Sequence, residues 1–196
     1  VVDYRRAHSV RALVHRSKLI QAITDYAARY PHEGAVVERF HGLLDAHPNC
    51  FDRDCWAGHI TGSAWLVDPV GKCLLLTHHK KLDMWLQLGG HSDGDPDTAE
   101  VAVREASEES GLTVALISSS ILDLDVHEIP ARKADPVHYH FDVRFALRAD
   151  SRDYVVSDES HDLAWVPIDD IESFTTETSI LRMREKWNQL ALVRGS

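Results

Sequence analysis

Three glutamates near the middle of the chain have a spacing that suits metal binding. Glu105, Glu108 and Glu109 occupy positions i, i+3 and i+4 of the segment REASEESGL. On a helix this spacing places all three side chains on one face, within an arc of about 100°. Their like charges repel one another, and a divalent cation would turn that repulsion into attraction. Carboxylate oxygens are hard ligands, so the pattern predicts a magnesium or manganese site.

The residues before the glutamates predict how their helix begins. Two glycines, Gly89 and Gly90, precede Asp95 and Pro96. Asp is a favourable helix N-cap and Pro fits the first helical position, so we expect the helix to begin at Pro96. Gly111 is expected to end it. A glycine turn next to a face of three carboxylates indicates a metal site for phosphate chemistry.

Four histidines form a second group of candidate ligands. His138 and His140 are two residues apart in a predicted strand, so they share one face of it. His91 directly follows the glycine pair, and His59 opens another predicted strand. Imidazoles placed in this way are typical of a metal-chelating pair, and a set of four would favour zinc or another transition metal. The alternative is that these histidines form hydrogen bonds in a polar cleft that contacts substrate phosphates.

The elements around these residues alternate in type along the chain. Apolar spacing predicts two helices, at residues 9–29 and 33–46, which we expect to form a hairpin. Strand patterns and a closing helix follow; the strands are expected near residues 58–66, 72–79, 85–88, 121–129, 137–147 and 161–167, and the helix at 179–193. This order predicts an α+β fold, an α/β/α sandwich with a mixed sheet. We expect residues 1–50 to form an accessory hairpin and residues 51–196 the main domain.

Composition excludes several classes of protein. The 196 residues carry a formal net charge of −10, which argues against a general nucleic-acid or membrane-surface binder. No apolar run approaches the roughly 20 residues that span a bilayer, and no signal-peptide pattern is visible. The three cysteines form no disulfide framework, which favours a cytoplasmic location.

The glutamate segment resembles the Nudix box. Gly90, Arg104 to Ala106, Glu108-Glu109 and Gly111-Leu112 match a glycine followed by a spaced REUxEExGU, where U is aliphatic. The box covers residues 90–112, and the wider resemblance covers roughly residues 56–175. It implies a Nudix fold and a divalent-metal-dependent hydrolase of a nucleoside diphosphate linked to another moiety. The implied partner is a small nucleotide-type substrate, and homodimers are common in the family.

The resemblance also implies roles for individual residues. Glu105, Glu108 and Glu109 would bind magnesium or manganese, and Glu105 would help deprotonate the attacking water. The Gly90 backbone would approach the metal, and Arg104 would hold the glutamates. The family often adds an acid before its late tryptophan strand; Glu159 is the first candidate for it here and Asp158 the second. Basic side chains are the candidates for binding substrate phosphates; they are Lys80, Arg132, Lys133 and Arg144.

The chain departs from the Nudix pattern at two positions. Pro96 stands where the box normally has Glu, and Leu88 stands where Pro usually precedes the glycines. The missing Glu ordinarily supports Arg104. Glu100 and Asp97 lie about one and two helical turns before Arg104, so either could replace that support.

The four histidines are similar in placement to the metal ligands of isopentenyl diphosphate isomerases. Those ligands come from a His at a strand start, a His after the glycine turn and an acid-x-acid pair on a late strand. His59, His91, His138 and His140 stand at these places, with His138 and His140 replacing the acids. The isomerases carry an active-site cysteine near the glycine turn, where this chain has none. A pyrophosphohydrolase, an isomerase-like enzyme and a non-catalytic nucleotide sensor are therefore the three hypotheses.

Overall fold

The computed structural model of the protein describes residues 2–80, 82–132, 135–158 and 160–194, with side chains from residue 14 to residue 190. Within these residues the helices are α1 (Val2–Arg29), α2 (Gly34–Ala46), α3 (Thr98–Ser110) and α4 (Thr178–Arg194). Short 3-10 helices are formed by Pro31–Glu33 and Ile168–Ser173. The predicted N-terminal hairpin is confirmed, since α1 and α2 flank the first of these short helices and contact each other. Helix α1 begins earlier than the predicted residue 9.

In the described part of the chain, eight strands follow the hairpin, with α3 between the fourth and the fifth. They are β1 (His59–Val67), β2 (Cys73–His79), β3 (Met84–Leu86), β4 (Leu88–His91), β5 (Val114–Leu116), β6 (Asp123–Ile129), β7 (His138–Ala149) and β8 (Ser160–Pro167). They form one sheet with the order β3-β2-β1-β7-β5, in which β4 also pairs with β1, β6 with β7 and β8 with β2. The predicted fold class is confirmed.

The start of α3 differs from the prediction. The helix begins at Thr98, two residues after Pro96. The Asp95 carboxylate nevertheless accepts a hydrogen bond from the Asp97 backbone N–H, with an N···O distance of 3.0 Å. Asp95 therefore closes a turn ahead of the helix, because its side chain satisfies a backbone donor before helical hydrogen bonding has begun. The predicted C-terminal end is correct, since Gly111 has a φ of 69°.

The chain divides into two compact units. The first comprises residues 1–61, 91–98 and 124–142. Its core packs α1 against α2, with Phe40 edge-on to Phe141 at a ring-centroid distance of 5.2 Å. Tyr26 is fully buried here, and its hydroxyl accepts a hydrogen bond from the Leu124 backbone N–H at 3.3 Å.

The second unit comprises residues 62–90, 99–123 and 143–196. Its apolar core is contributed by strands and by α4; the buried members are Trp65, Val67, Leu74, Leu76, Leu122, Ala146, Val166, Ile168, Ile171, Ile180, Met183 and Trp187. The predicted apolar stripe of the closing helix faces this core, with Leu190 packed against it.

The predicted boundary between an accessory hairpin and a main domain does not coincide with these units. The first unit adds residues from strands and loops to the hairpin. A boundary near residue 50 therefore stays a prediction. Among the described helices, none is both long and apolar enough to cross a membrane.

Candidate functional site

The glycine pair lies directly against the carboxylate face of α3. The backbone N–H of Gly89 donates a hydrogen bond to Glu109 Oε1, at an N···O distance of 2.9 Å. A side chain at Gly90 would overlap the Glu105 carboxylate, so only a glycine allows this approach. The structure therefore brings the glycine strand together with Glu105 and Glu109, which are separated from it by 15 to 20 positions in the chain.

The three glutamates differ in exposure. The Glu105 side chain is 18% exposed, and the Arg104 guanidinium donates to its Oε1 at 2.8 Å. Glu109 is half-buried and Glu108 is exposed. Because ionised carboxylates are acceptors only, oxygens gathered beside a glycine turn provide a donor set that suits a hard divalent cation. The residues present therefore fit the metal that the Nudix box implies.

Two of the predicted phosphate-binding residues, Arg144 and Lys80, form hydrogen bonds with other groups of the protein. Arg144 is buried, and its guanidinium donates to the Asp123 carboxylate at 3.0 Å. This position argues against the expected contact between Arg144 and a substrate phosphate, because the side chain is committed to the interior. Lys80 is exposed, and its ammonium donates to the Asp158 carbonyl at 2.7 Å.

Three further residues were predicted to bind phosphate or to act in catalysis: Arg132, Lys133 and Glu159. Arg132 is exposed and forms a two-residue β-bridge with Asp135. Lys133 and Glu159 lie outside the described residues. Their predicted roles, in phosphate binding and in catalysis, stay predictions.

The structure does not assign one residue to support Arg104 in place of the Glu that is missing at position 96. Asp97, one of the two candidates, lies 2.8 Å from His15 Nδ1. Arg104 is held through its bond to Glu105. Support of Arg104 by Glu100 or Asp97 therefore stays a prediction.

Histidines from four strands form a cluster within the first unit. His91 ends β4, His59 begins β1, His140 lies near the start of β7 and His127 lies in β6. The rings of His59, His91 and His140 form a triangle, with centroid distances of 5.1 Å for His59–His91, 4.8 Å for His59–His140 and 5.0 Å for His91–His140. The ring of His127 lies 5.4 Å from that of His140. Pairing of neighbouring strands, which lie about 4.8 Å apart, brings these side chains into one region. His138 adds a fifth ring, 5.0 Å from His59 and 5.4 Å from His140.

Buried His59 occupies the centre of this cluster. His59 is only 2% exposed, and neither ring nitrogen forms a hydrogen bond with any residue that the structure describes. An unsatisfied buried polar group costs about 1–3 kcal/mol. His138, by contrast, is anchored through Nδ1, which lies 2.9 Å from the Pro136 carbonyl oxygen. A cost of this kind at His59 requires an explanation beyond packing.

The pKa values of the central histidines are low. Burial is the main cause for each, followed by the charge of neighbouring histidines or of Arg53. The pKa of His59 is lowered to about 4, that of His91 to about 4 and that of His140 to about 2. All three imidazoles are therefore neutral near pH 7.

The structure includes residues that sequence reasoning did not assign to this cluster. His127 faces His140 and lies 3.1 Å from Asp125 through its Nδ1. Trp56 packs edge-on against His138 at 5.5 Å and is 43% exposed. The alternation of residues 121–129 already put His127 on one strand face, but strand order was needed to place that face beside His140. Trp56 carried no sequence signal, because it lies outside any periodic segment.

Comparisons with known proteins support both the resemblance to the Nudix box and the predicted fold. A family model described as the NUDIX domain matches residues 59–185. No curated protein sequence matches the chain. Among solved structures, a NUDIX-family hydrolase from Clostridium perfringens is 25% identical with a TM-score of 0.50, over 67% of this chain and 97% of that chain.

Two further structures share the fold at lower identity. The dihydroneopterin triphosphate pyrophosphohydrolase of E. coli is 17% identical with a TM-score of 0.51, over 64% of this chain and 92% of that chain. The NUDIX domain of Shewanella oneidensis NrtR, solved with ADP ribose, is 15% identical with a TM-score of 0.50, over 77% of this chain and 97% of that chain.

These findings separate the two resemblances. None of these comparisons shows the likeness to isopentenyl diphosphate isomerases, which rests only on the placement of the histidines. The matched NUDIX domain, by contrast, covers more than half of the 196 residues and contains the whole glycine and glutamate arrangement. The chain therefore belongs to the Nudix hydrolase family.

Proposed function

We propose that this protein hydrolyses a pyrophosphate bond in a nucleoside diphosphate linked to another moiety, with the help of magnesium or manganese. The observation that carries the proposal is the approach of Gly89 and Gly90 to the carboxylates of Glu105 and Glu109. This contact lies inside the matched NUDIX domain. It gathers carboxylate oxygens, which suit a divalent cation, beside the glycine backbone.

The glutamates have distinct roles in this proposal. Glu105, Glu108 and Glu109 would hold the divalent cation, with the Gly90 backbone beside it. A bound cation neutralises diphosphate charge and lowers the pKa of water at the site. Glu105 accepts a proton from the attacking water, and its bond from Arg104 fixes the orientation of the accepting carboxylate. The Gly89 N–H orients Glu109 in the same way.

Groups outside this centre would bind the substrate. Lys80, Arg132 and Lys133 are the proposed phosphate-binding residues, and Glu159 is a further proposed acid. Hydrolysis then separates the bridging oxygen from one phosphorus, while the water oxygen completes the new phosphate. Two phosphate-bearing products leave, and one proton is released to solvent through the accepting carboxylate.

A substrate screen tests this proposal. The purified chain is incubated with nucleoside triphosphates, nucleotide sugars, dinucleotides and ADP-ribose, with magnesium or manganese, and phosphate-bearing products are measured. ADP-ribose is included because the NrtR domain was solved with it. Metal-dependent turnover of at least one compound supports hydrolysis. Tight nucleotide binding without turnover would favour the sensor hypothesis instead.

Substitution of Gly90 by Ala is expected to reduce turnover with little loss of stability. The new Cβ would overlap the Glu105 carboxylate and displace it. A displacement of about 1 Å from productive geometry costs roughly 100-fold in rate, so we expect a 10- to 100-fold lower kcat. The measurement is steady-state kinetics on the substrate identified above, together with thermal unfolding.

Gly42→Ala is the matched control for this variant. Gly42 lies in α2, and a Cβ there would meet nothing within 4 Å. Alanine is favoured over glycine in a helix, so this variant should be equally active and slightly more stable. Equal kcat for Gly90→Ala and Gly42→Ala would contradict the proposed role of the glycine turn.

A further inference from the structure

We propose that His59, His91 and His140 form a second metal site, which binds a divalent transition-metal ion of the zinc type. The site lies entirely within the first compact unit and uses no residue of the glutamate site. It does not depend on the proposed hydrolytic function.

Strand pairing is the first argument for this site. Because β4 pairs with β1, and β1 neighbours β7 in the sheet, three imidazoles project side by side from three strands. One nitrogen from each of His59, His91 and His140 lies within 4.8 Å of the other two. Ligand nitrogens around a zinc ion with bonds of about 2.0–2.1 Å lie roughly 3.4 Å apart in tetrahedral geometry. Small side-chain rotations would close that difference, so the three residues are already arranged as a partly formed site.

The state of His59 is the second argument. Both of its ring nitrogens are buried, and within the described part of the chain neither forms a hydrogen bond. Protein interiors seldom leave such atoms unsatisfied, and a metal ion would satisfy one of them with a strong bond. His91 and His140 are only half-buried, which leaves the ion an entry path.

The groups around the proposed site include a fourth histidine. His138 borders the site with Nδ1 against the Pro136 carbonyl and with Trp56 across its ring. We assign it to the wall of the site, outside the three ligands.

The donor set selects the class of metal. Three imidazole nitrogens without a carboxylate suit zinc, cobalt or nickel, whereas magnesium prefers oxygen. The two sites of this protein therefore differ in chemistry, with nitrogen ligands at one and oxygen ligands at the other. Three protein ligands also leave a fourth position open, as in zinc sites that bind water or a substrate.

The test is direct metal binding by the full chain. The protein is treated with a chelator and titrated with zinc chloride by calorimetry, in the presence of excess magnesium, and its zinc content is then measured by elemental analysis. Cobalt substitution gives an independent visible spectrum of the coordination geometry. We expect one tightly bound zinc per chain that magnesium does not displace.

Substitutions identify the ligands. His91→Gln and His140→Gln are expected to weaken zinc binding at least about 100-fold. Both residues are half-buried, so these variants should remain folded. His59→Leu should also abolish tight binding, while the metal-free protein should unfold at the same or a higher temperature, because the unsatisfied nitrogens are gone.

Two controls separate this site from other histidines and from the glutamates. His32→Gln replaces a histidine whose side chain is 74% exposed, and Glu105→Gln alters the other proposed metal site. Both should bind zinc as the wild type does. Absence of tight zinc binding in the wild type, or equal affinity in His140→Gln, would overturn the proposal. Hydrolytic activity is measured separately, so failure of either proposal leaves the other standing.

Discussion

Glu105→Gln is expected to lower the kcat of metal-dependent phosphate release by about 10²–10⁴-fold, the range typical for loss of a general base. The amide keeps the shape of the side chain but cannot accept a proton from water, and it binds a divalent cation more weakly. Gln at position 105 also loses the ion pair with Arg104. The fold should be retained, because the side chain lies at the edge of the core and not within it.

The measurement is single-turnover kinetics over a range of magnesium and manganese concentrations. Loss of a metal ligand raises the metal concentration needed for half-maximal rate, whereas loss of the base lowers the rate at saturating metal. We expect both effects in Glu105→Gln. Glu109→Gln should show the first effect most clearly, because the Gly89 N–H then faces a neutral amide.

Glu185→Gln is the matched control, since Glu185 is an exposed acid on α4 in the same unit. It carries the same change of charge away from the glycine turn. A comparable loss of rate in this variant would attribute the effect to overall charge. An unchanged rate in Glu105→Gln would remove the glutamate from the catalytic proposal.

Asp123→Asn is expected to reduce the free energy of unfolding by about 3–5 kcal/mol, the usual cost of breaking a buried ion pair. Asp123 is fully buried and accepts hydrogen bonds from three cationic side chains. Arg182 and Lys186 lie one helical turn apart on α4, and Arg144 lies on β7. The distances to the carboxylate are 2.7 Å for Arg182, 2.6 Å for Lys186 and 3.0 Å for Arg144.

Removing the negative charge leaves these three cations beside a neutral amide, two of them in a buried environment. Urea unfolding monitored by tryptophan fluorescence measures the difference. Asp169→Asn is the control, because Asp169 is exposed on the short 3-10 helix after β8. A destabilisation of less than about 1 kcal/mol in Asp123→Asn would show that the cluster contributes little to stability.

The same cluster predicts a dependence of stability on pH. Burial alone would raise the pKa of Asp123, but the hydrogen bond from Arg182 and the charges of Arg144, Arg182 and Lys186 hold it below its ordinary value. A group with a lowered folded-state pKa stabilises the protein above its unfolded-state pKa, which is about 3.9 for Asp. The difference between wild type and Asp123→Asn should therefore be constant at neutral pH. It should shrink as the pH falls below about 4, as unfolding at several pH values would show.

The sequence by itself determined the local parts of this protein. The glutamate spacing, the glycine pair and Gly111 predicted a helix, its carboxylate face and its end, because each depends on residues within one or two helical turns. The same local signals predicted the N-terminal hairpin and the apolar stripe of α4. The start of α3 was wrong by two residues, since Asp95 satisfies a backbone N–H before the helix begins.

Strand order and burial were decided only by the tertiary structure. From the sequence, Arg144 was a candidate for binding a substrate phosphate. In the structure it is buried and forms an ion pair with buried Asp123. His59, His91 and His140 are separated by up to 81 positions and become neighbours only because β4, β1 and β7 lie side by side. A side chain's partners across a sheet depend on which strands pair, and no local pattern specifies that choice. The glutamate face could therefore be predicted from sequence, whereas the contact of Gly89 and Gly90 with it depended on the folded chain.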